Sequence, residues 1–392
     1  MKFLILNTDY PDFLNWLYVR HPGLETLPYD QQLQKRMESL FGLADFYSNN
    51  LRKLNHEVMD VHVNNEFMQV AWAQDHGLPY EQLLKRNRVP WAMYRLGHMA
   101  ARTPLRYLKY FSLLLLHAFN GRPSWFTNIL TAQIKSYKPE ILLNQAMEGI
   151  PTKFLLEIKP YVGLLVGQHA APLPPGEDYG CYDLVLSSLP KFVDYFRQLG
   201  VPAELHRLGF EPKVLDRLGE NERNIGCSFV GTLSRDHKGR RLLLEYLCEN
   251  TELAIWGRGI DALRRSSSIR SHYKGMAWGV DMYQILRDSK ITLNRHIDVA
   301  GSHANNIRLY ESTGVGAMLV TDWKADLSDM FEVGKEVVAY RNPQECLKLV
   351  RYYLAHEEER KAIARAGQRR TLEEHTYRKR MQELVDIVHH YV

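Results

Sequence analysis

The chain has 392 residues, of which 45% are apolar and 24% charged, and its formal net charge is +5. This composition is typical of a globular protein and excludes a disordered or low-complexity chain, while the length predicts two domains. Four widely spaced cysteines without a C-x-x-C pair exclude a disulfide framework and argue against a zinc site.

No segment has the length of a membrane-spanning helix. The most apolar run, "YFSLLLLHAF", lies between Lys109 and Arg122 and is far shorter than the roughly 20 residues that a bilayer requires. The amino terminus, "MKFLILNTDYP", is typical of a first strand rather than of a secretory signal. We therefore expect a cytoplasmic protein.

The first half of the chain alternates strand and helix patterns. "KFLILNT" predicts a strand, a long polar loop follows, Asp30–Leu54 has the pattern of a helix, and "HEVMDVHV" predicts a second strand. Later apolar runs are of the kind buried in parallel sheets, and Pro190 then opens a helix that ends near Gly200. These runs are "KPEILLNQ", "YVGLLVGQHA" and "YDLVLSS".

A basic stretch interrupts this alternation. Between Gln82 and Pro139 the chain has no Asp or Glu but ten Lys or Arg residues, interleaved with aromatic residues. We predict a basic, aromatic helical insertion at about 82–139, which would suit a membrane interface or an anionic ligand. The alternative is a solvated helical face whose aromatic side chains belong to the core.

A polar segment, Phe210–Asn224, predicts the link between two domains, 1–210 and 211–392. A second alternating series follows it, so the fold class is α/β, with two Rossmann-like domains facing one another across a cleft. Charged helices from Pro343 to Val392 should cover the second domain, and the last of them is a candidate for packing back on the first. The series reads "IGCSFVGTL", helix Gly239–Glu249, "ELAIWGRG", "HYKG", helix Val280–Asp288, "KITLNRH", a short helix and "AMLVTD".

The stretch "NNIRLYESTGVGAMLVTD", which starts at Asn305, predicts a short helix, a glycine turn and a buried strand. Asn305 is a plausible N-cap, which leaves the N–H groups of Asn306 and the next two residues for a pyrophosphate, with Arg308 as a bidentate phosphate ligand. Glu311 falls in the last helical turn, where a carboxylate opposes the helix dipole. A ribose diol would stabilise it, and the alternative is an ion pair with Arg308.

The segment from Leu293 to Val392 resembles the C-terminal part of the CgeB-like (spore maturation protein) group of glycosyltransferases, which are related to group 1 enzymes of GT-B architecture. The resemblance rests on "LNRHIDVAGSHANNIRLYESTGVGAMLVTDWKADLSDMFEVGKEVVAY" and "AGQRRTLEEHTYRKRMQELVDIV". A weaker likeness extends upstream to about Glu140 through "GQHAAPLP", "YDLVLSSLPKFVDYFRQLGV" and "FVGTLSRDHKGR".

The resemblance implies that the C-terminal domain holds a nucleotide sugar and that no metal is required. Glu311 matches the carboxylate that holds the donor ribose. Many relatives carry a second Glu eight residues earlier, where this chain has His303, so the contact to the sugar ring differs. Gly231, Arg235 and Lys238 match the strand end and glycine loop that face the diphosphate. Arg235, Lys238 and Arg308 are the candidates for neutralising the leaving group.

Further donor-binding candidates lie at strand ends. Asn294 and His296 end the strand "KITLNRH" and should point towards the ligand crevice, although His296 could instead be a solvated strand-end histidine. The base should rest near "YKGMAW", where the main chain of Met276 or Ala277 could read its edge. Trp278 or Tyr283 could stack on the base, and the alternative for each is a place in the core.

Acceptor chemistry should come from the first domain. Its strand ends carry Asp9, Glu148 and His169, and Asp9 or His169 could remove the proton of an acceptor hydroxyl. Alternatively, Asp9 caps a turn and His169 bonds to the backbone of "QHAAP". No G-x-G-x-x-G follows the first strand, and there is neither a Walker loop nor an H-E-x-x-H motif, so hydride, ATP and zinc chemistry are poorly supported.

The sequence therefore predicts a metal-independent, hexosyltransferase-like glycosyltransferase without a cofactor, which uses a nucleoside-diphosphate sugar as co-substrate. The acceptor is a glycan, a lipid-linked molecule or a protein, and residues 82–139 are candidates for peripheral contact with the inner membrane face. The alternative is a noncatalytic nucleotide- or glycan-binding protein of the same architecture that supports a partner enzyme. Nucleic-acid binding is a distant third, because the chain carries no recognised nucleic-acid motif.

Overall fold

The computed structural model describes most of the chain. It gives only the backbone for residues 124–126 and 238, and most of the predicted basic insertion lies outside the described residues. The described ranges are 1–78, 124–171, 173, 178–220, 222–233 and 238–392.

Short apolar runs of the sequence form the strands. Several of them are buried along their whole length, such as "ILLN", "LVLS" and "MLVTD", because parallel strands are covered on both faces. The strands are β1 (Lys2–Asn7), β2 (Glu57–His62), β3 (Ile141–Asn144), β4 (Leu164–Gln168), β5 (Leu184–Ser187), β6 (Ala203–Leu205), β7 (Ile225–Val230), β8 (Leu253–Trp256), β9 (Tyr273–Gly275), β10 (Ser289–Asn294), β11 (Met318–Asp322) and β12 (Val338–Tyr340).

These strands form two six-stranded sheets. The first has the order β2-β1-β3-β4-β5-β6 and the second the order β12-β11-β10-β7-β8-β9. The pairs β1–β3, β4–β5 and β5–β6 run parallel, as do all neighbours in the second sheet. There, Ile291 of β10 lies opposite Cys227 of β7 on one side and Met318 of β11 on the other. Two parallel Rossmann-like sheets with helices confirm the predicted α/β fold class.

Helices connect the strands and cover the sheets. Beside the second sheet, Leu244 and Cys346 come from helices and join Ile255, Leu293 and Val320 of the strands in one apolar core. The helices are α1 (Pro11–Arg20), α2 (Tyr29–Glu38), α3 (Phe46–Lys53), α4 (Glu66–Asp75), α5 (Ser124–Tyr137), α6 (Thr152–Ile158), α7 (Pro190–Gln198), α8 (Lys238–Cys248), α9 (Ile269–His272), α10 (Gly279–Asp288), α11 (Arg308–Gly314), α12 (Pro343–Ala355), α13 (Glu357–Glu374) and α14 (Tyr377–His389).

Two predictions near the amino terminus are wrong. The segment expected to be a long polar loop contains α1, which starts at a proline and buries Phe13 and Leu17, one helical turn apart. The single helix expected at Asp30–Leu54 is two helices, α2 and α3, because Leu40 and Ala44 between them adopt positive φ angles that end a right-handed helix.

The chain divides into two compact units. The first comprises Met1–Lys35 and Met59–Leu165, and the second comprises Arg36–Val58 and Val166–Val392. Within the second unit α14 packs against α3, and Phe46 of α3 stacks at a tilt on Tyr377 of α14. The domain limits predicted from the sequence, 1–210 and 211–392, stay a prediction.

Candidate functional site

The strand order of the second sheet places a switch point between β7 and β10. From β7 the chain continues outward to β8 and β9, then returns to β10 on the other side and continues to β11 and β12. Ligands of open α/β sheets bind beyond the carboxyl ends of the strands at such a point. Here these ends are Val230, followed by Gly231, and Asn294, followed by Arg295.

Arg240 joins the two loops at the switch point. Its guanidinium donates to the carbonyl of Thr232 at 3.0 Å and to the carbonyl of Arg295 at 2.8 Å. The side chain is buried, and burial lowers the pKa of Arg240 to about 10, so it stays cationic at neutral pH. The sequence analysis missed Arg240, although its place in the first turn of a predicted helix after the glycine loop was a usable signal.

The backbone at Gly231 is held by a close approach of another glycine. Gly231 N donates to the carbonyl of Trp256, and a Cβ built on Gly257 would lie 1.8 Å from the carbonyl oxygen of Gly231. Gly257 also has φ of 139°, a value that L side chains rarely adopt. The end of β7 is therefore fixed by backbone packing that no other residue at position 257 permits.

Arg295, which the sequence analysis missed, packs its guanidinium against the start of α8. A Cβ built on Gly239, in the first turn of that helix, would lie 2.5 Å from Nη2 of Arg295. Of the predicted phosphate ligands, Lys238 is the first residue of α8 and only its backbone is described, while Arg235 lies outside the described residues. Their predicted roles stay predictions.

Polar side chains connect the end of β10 to the start of α11. Asn306 Nδ2 donates to Asn294 Oδ1 at 2.8 Å, and Asn294 Nδ2 donates to Thr321 Oγ1 at 3.0 Å. Asn306 Oδ1 also accepts from the backbone N–H of Arg308 at 2.9 Å. Asn306 therefore fixes the turn that leads into α11. The predicted N-cap, Asn305, is wrong, because the residue before the first helical residue is Ile307, and the side chain of Asn305 accepts from Ser188 Oγ at 2.5 Å instead.

Glu311 is a buried carboxylate with two side-chain partners. Its side chain is 4% exposed, Tyr283 Oη donates to Oε1 at 3.1 Å, and Arg308 Nη1 lies 2.7 Å from Oε2. The Arg308 contact is an ion pair by distance, although its angles fall outside hydrogen-bond geometry. The i,i+3 ion pair foreseen as the alternative is thus present. It is buried, so the small energy of an exposed pair does not apply to it.

The position of Glu311 in its helix differs from the prediction. Glu311 is the fourth residue of α11, which runs from Arg308 to Gly314, and does not lie in the last turn. The carboxylate therefore does not oppose the helix dipole at the last turn. What needs a stabilising partner is its burial. Burial raises the pKa of Tyr283 well above its ordinary value, and the negative charge of Glu311 adds to this effect.

His296 forms a buried pair with Asp322 at the end of the neighbouring strand. Asp322 Oδ1 accepts from the backbone N–H of His296 at 2.8 Å and from its Nδ1 at 2.7 Å. Burial alone would raise the pKa of Asp322, but the hydrogen bonds and charge of His296, with Lys324 nearby, lower it to about 2. His296 is therefore buried, and the alternative of a solvated histidine is wrong. The sequence analysis missed Asp322.

The segment expected to read the base is partly open. Met276 is 52% exposed and Ala277 is half-buried, so this segment lies at the protein surface. Trp278 is buried and makes an edge contact with the ring of Phe41, with ring centroids 4.8 Å apart. Trp278 therefore belongs to the core, as the alternative had it.

In the first unit, Asp9 lies next to a histidine that the sequence analysis missed. Oδ2 of Asp9 is 2.9 Å from Nδ1 of His62, the last residue of β2, and both side chains are buried. The distance suits an ion pair, although the angles fall outside hydrogen-bond geometry. Asn64 also holds the backbone of Asp9, accepting from its N–H and donating to its carbonyl. Glu148 is exposed.

His169 belongs to the second unit and bonds to its own loop. Its Nε2 lies 2.5 Å from the carbonyl oxygen of Ala171, and its ring makes an edge contact with the ring of Phe192. This is the backbone contact foreseen as the alternative to a catalytic role. Asp9 and His169 lie in different units, so each stays a separate candidate.

His303 also pairs with an aspartate. Its Nδ1 lies 3.2 Å from Asp326 Oδ2, and the other oxygen of Asp326 accepts from Ala304 N at 2.6 Å. Within the described ranges, no cluster of three or more His, Cys, Asp or Glu residues could hold a metal ion. Over the same part of the chain, no helix combines the length and apolarity needed to cross a bilayer.

Comparison with known proteins adds a family match. Residues 235–386 match a family model described as glycosyl transferase-like, and this segment contains Glu311, Arg308 and the His296–Asp322 pair. None of the curated proteins compared with the chain matches it.

Several solved glycosyltransferases share the fold. A glycosyltransferase from Rickettsia africae ESF-5 aligns with a TM-score of 0.57 at 10% identity, over 100% of this chain and 98% of that one. HepE from Anabaena, in complex with UDP-glucose, aligns with 0.55 at 11% identity over 99% of both chains. AviGT4, involved in avilamycin A biosynthesis, aligns with 0.52 at 12% identity over 98% of this chain and 96% of that one. The fold is thus that of GT-B glycosyltransferases, and residues 235–386 carry the likeness to the glycosyl transferase-like family.

Proposed function

We propose that this protein is a glycosyltransferase that moves a sugar from a nucleoside-diphosphate sugar to an acceptor hydroxyl. The observation that carries the proposal is the buried carboxylate of Glu311, which lies in the family-matched segment with Arg308 and Tyr283 as partners. A ribose diol offers two hydroxyl donors to such a carboxylate. The specific likeness to the CgeB-like group is part of this proposal.

Donor binding would exchange one partner of Glu311 for another. The ribose takes the place of the Arg308 guanidinium at Oε2, and Arg308 turns to the diphosphate, for which its planar donors are well suited. Gly231 and Arg295 at the switch point face the same phosphates, and the main chain of Met276 and Ala277 reads the base. HepE was solved with UDP-glucose, so uridine is the first nucleoside to test.

We propose that cationic side chains neutralise the leaving nucleoside diphosphate and that no metal or other cofactor is needed. Arg308 and Arg295 are the described candidates, and Arg235 and Lys238 are the candidates from the sequence. Preorganised positive charge near the leaving oxygen stabilises the transition state without a metal ion. Activity should therefore persist in EDTA.

The acceptor base is proposed among buried groups that follow strands. Asp9 with His62 forms a carboxylate–imidazole pair of the kind that can orient a proton-accepting ring, and His169 is the other candidate. The basic stretch 82–139 is proposed to select an anionic, lipid-linked or glycan acceptor, at the inner membrane face if the acceptor is a lipid. Binding to anionic vesicles that is lost at high salt would support membrane contact.

A noncatalytic binding protein of the same architecture is the second candidate. Two observations favour it, namely that Arg308 occupies the carboxylate of Glu311 and that His303 stands where many relatives carry Glu. Such a protein would bind a nucleotide sugar without releasing nucleotide from it. Turnover therefore separates the two candidates.

The first experiment is a thermal-shift screen of the wild-type protein against UDP, GDP, dTDP and CMP, with and without EDTA. A selective diphosphate shift that survives EDTA and is lost in Glu311→Gln supports the donor site. The matched control is Glu358→Gln, because the side chain of Glu358 is 83% exposed and belongs to the same compact unit as Glu311. A ligand at 100 times its Kd stabilises by about 2.7 kcal/mol, which such a scan detects. No shift with any nucleotide would contradict the proposal.

A further inference from the structure

One ring nitrogen of His296 has a partner and the other has none. The backbone N–H and Nδ1 of His296 both contact Oδ1 of Asp322, at 2.8 and 2.7 Å. Nε2 is buried and has no hydrogen-bond partner among the described residues. Buried polar atoms are nearly always paired in proteins, so an unpaired one needs an explanation.

The carboxylate decides what Nε2 can do. Asp322 is ionised at neutral pH, since its pKa is about 2, and an ionised carboxylate only accepts hydrogen bonds. Nδ1 must therefore carry a proton, and an imidazole with a single proton then offers Nε2 as an acceptor. The natural partner of such an atom is a hydroxyl or an N–H group, whereas a phosphate oxygen would offer it no proton.

The pair lies on the edge of the sheet where the donor site is proposed. His296 follows β10 by two residues, and Asn294 at the end of the same strand bonds to Asn306 before α11. Asp322 is the last residue of β11, and Lys324 Nζ lies 3.4 Å from its other oxygen. All these groups lie at the carboxyl ends of neighbouring parallel strands, the edge at which such sheets bind ligands.

A second pair on the same two loops serves as a comparison. His303 and Asp326 also join the loop after β10 to the loop after β11, but the His303 side chain is 31% exposed. Water can therefore satisfy the second nitrogen of His303. The closed environment of His296 is thus specific to that residue and is not required by a contact between these loops.

We infer that Nε2 of His296 accepts a hydrogen bond from a hydroxyl of the donor sugar, and that Asp322 is a positioning residue that fixes the tautomer for it. This inference rests on the proposed function, because it names the contact to the sugar within that site. It assigns His296 to the sugar rather than to the diphosphate. Asp322 acts through His296, as carboxylates do when they orient an imidazole.

The test compares the affinity for a nucleotide with the affinity for the corresponding nucleotide sugar. UDP and UDP-glucose are titrated by calorimetry into wild type, His296→Asn, His296→Gln and Asp322→Asn, or GDP and GDP-mannose if the wild type prefers guanosine. The Asn side chain at position 296 can still donate to Asp322 but lacks the second nitrogen, whereas Gln can place an acceptor near it. The matched control is His356→Asn, because His356 is exposed and its ring Nδ1 bonds to the carbonyl of Tyr352 in the preceding helix, away from His296 in the sequence.

His296→Asn and Asp322→Asn should weaken UDP-glucose binding roughly 3- to 10-fold, the range for one lost neutral hydrogen bond, and leave UDP binding within about twofold. Retained UDP binding also shows that each variant is folded. His296→Gln should recover part of the loss, and His356→Asn should change neither affinity.

Equal losses for UDP and UDP-glucose, or no loss for either, overturn the inference and leave the proposed function standing. A wild-type protein that binds none of the nucleoside diphosphates and their sugars overturns the proposed function and the inference together. A second titration uses a UDP-glucose analogue that lacks the contacted hydroxyl. Wild type and His296→Asn should bind that analogue equally well. If His296→Asn weakens its binding as much as it weakens UDP-glucose binding, the inference is contradicted.

Discussion

Glu311→Gln should destabilise the protein because it removes the counter-ion of a largely buried arginine. Gln keeps an acceptor for Tyr283 but leaves Arg308, whose side chain is 12% exposed and 2.7 Å from the carboxylate, without its partner. Breaking a fully buried pair by removing one partner costs about 3–5 kcal/mol, and the residual exposure of Arg308 reduces this to about 2–3 kcal/mol. The measurement is the free energy of unfolding in urea, followed by tryptophan fluorescence.

A double-mutant cycle separates the ion pair from other effects of this substitution. Arg308→Gln together with Glu311→Gln removes both charges, so the double variant should recover stability relative to Glu311→Gln, with a coupling energy of about 1–2 kcal/mol. Glu358→Gln is the matched control and should stay within about 0.5 kcal/mol of wild type, as exposed substitutions do. If Glu311→Gln behaves like that control and the coupling energy is zero, the buried pair described here does not exist in solution.

Three further changes test other parts of the site. Arg240→Met leaves two backbone carbonyls without their donor, and should lower the free energy of unfolding in urea by about 1–3 kcal/mol; an unchanged value would mean that the two loops are not joined as described. Gly257→Ala should cost more than about 2 kcal/mol, because its Cβ would meet a carbonyl oxygen at 1.8 Å, whereas Gly334→Ala has open space and should cost only about 1 kcal/mol for its positive φ. Asp322 has a folded-state pKa of about 2, below the ordinary 3.8, so its contribution is present above about pH 4 and is lost as the pH falls towards 2. The free energy of unfolding should therefore fall by about 2 kcal/mol less in Asp322→Asn than in wild type between pH 6 and pH 2. An equal fall in the two proteins would refute this.

The sequence predicted the two sheets well because parallel buried strands carry a strong local signal. Apolar runs such as "ILLN" and "LVLS" need no knowledge of distant residues to be recognised. The failures occurred where the local signal was weak or misleading. Helix α1 begins in a polar, proline-containing segment, and the break between α2 and α3 depends on positive φ angles at Leu40 and Ala44, two residues that seldom adopt them.

The same distinction applies to the site. Arg308 and Glu311 are three residues apart, so their pairing could be foreseen from helical geometry. His296 and Asp322 are 26 residues apart and meet only because β10 and β11 are neighbours in register. His62 reaches Asp9 from a different strand for a similar reason. Contacts of this kind depend on strand order, which a single sequence does not specify.

The most direct test of the central claim is the release of nucleoside diphosphate from its sugar by wild-type protein in EDTA, with and without candidate glycan or lipid-linked acceptors. The donor is the one whose nucleotide gives the largest thermal shift, and Glu311→Gln and Glu358→Gln are measured alongside. The account predicts acceptor-stimulated release by wild type and Glu358→Gln, and a loss of release in Glu311→Gln that follows its weaker donor binding. Tight binding of the nucleotide sugar without any release, across all acceptors, would contradict a transferase and favour the noncatalytic binding protein.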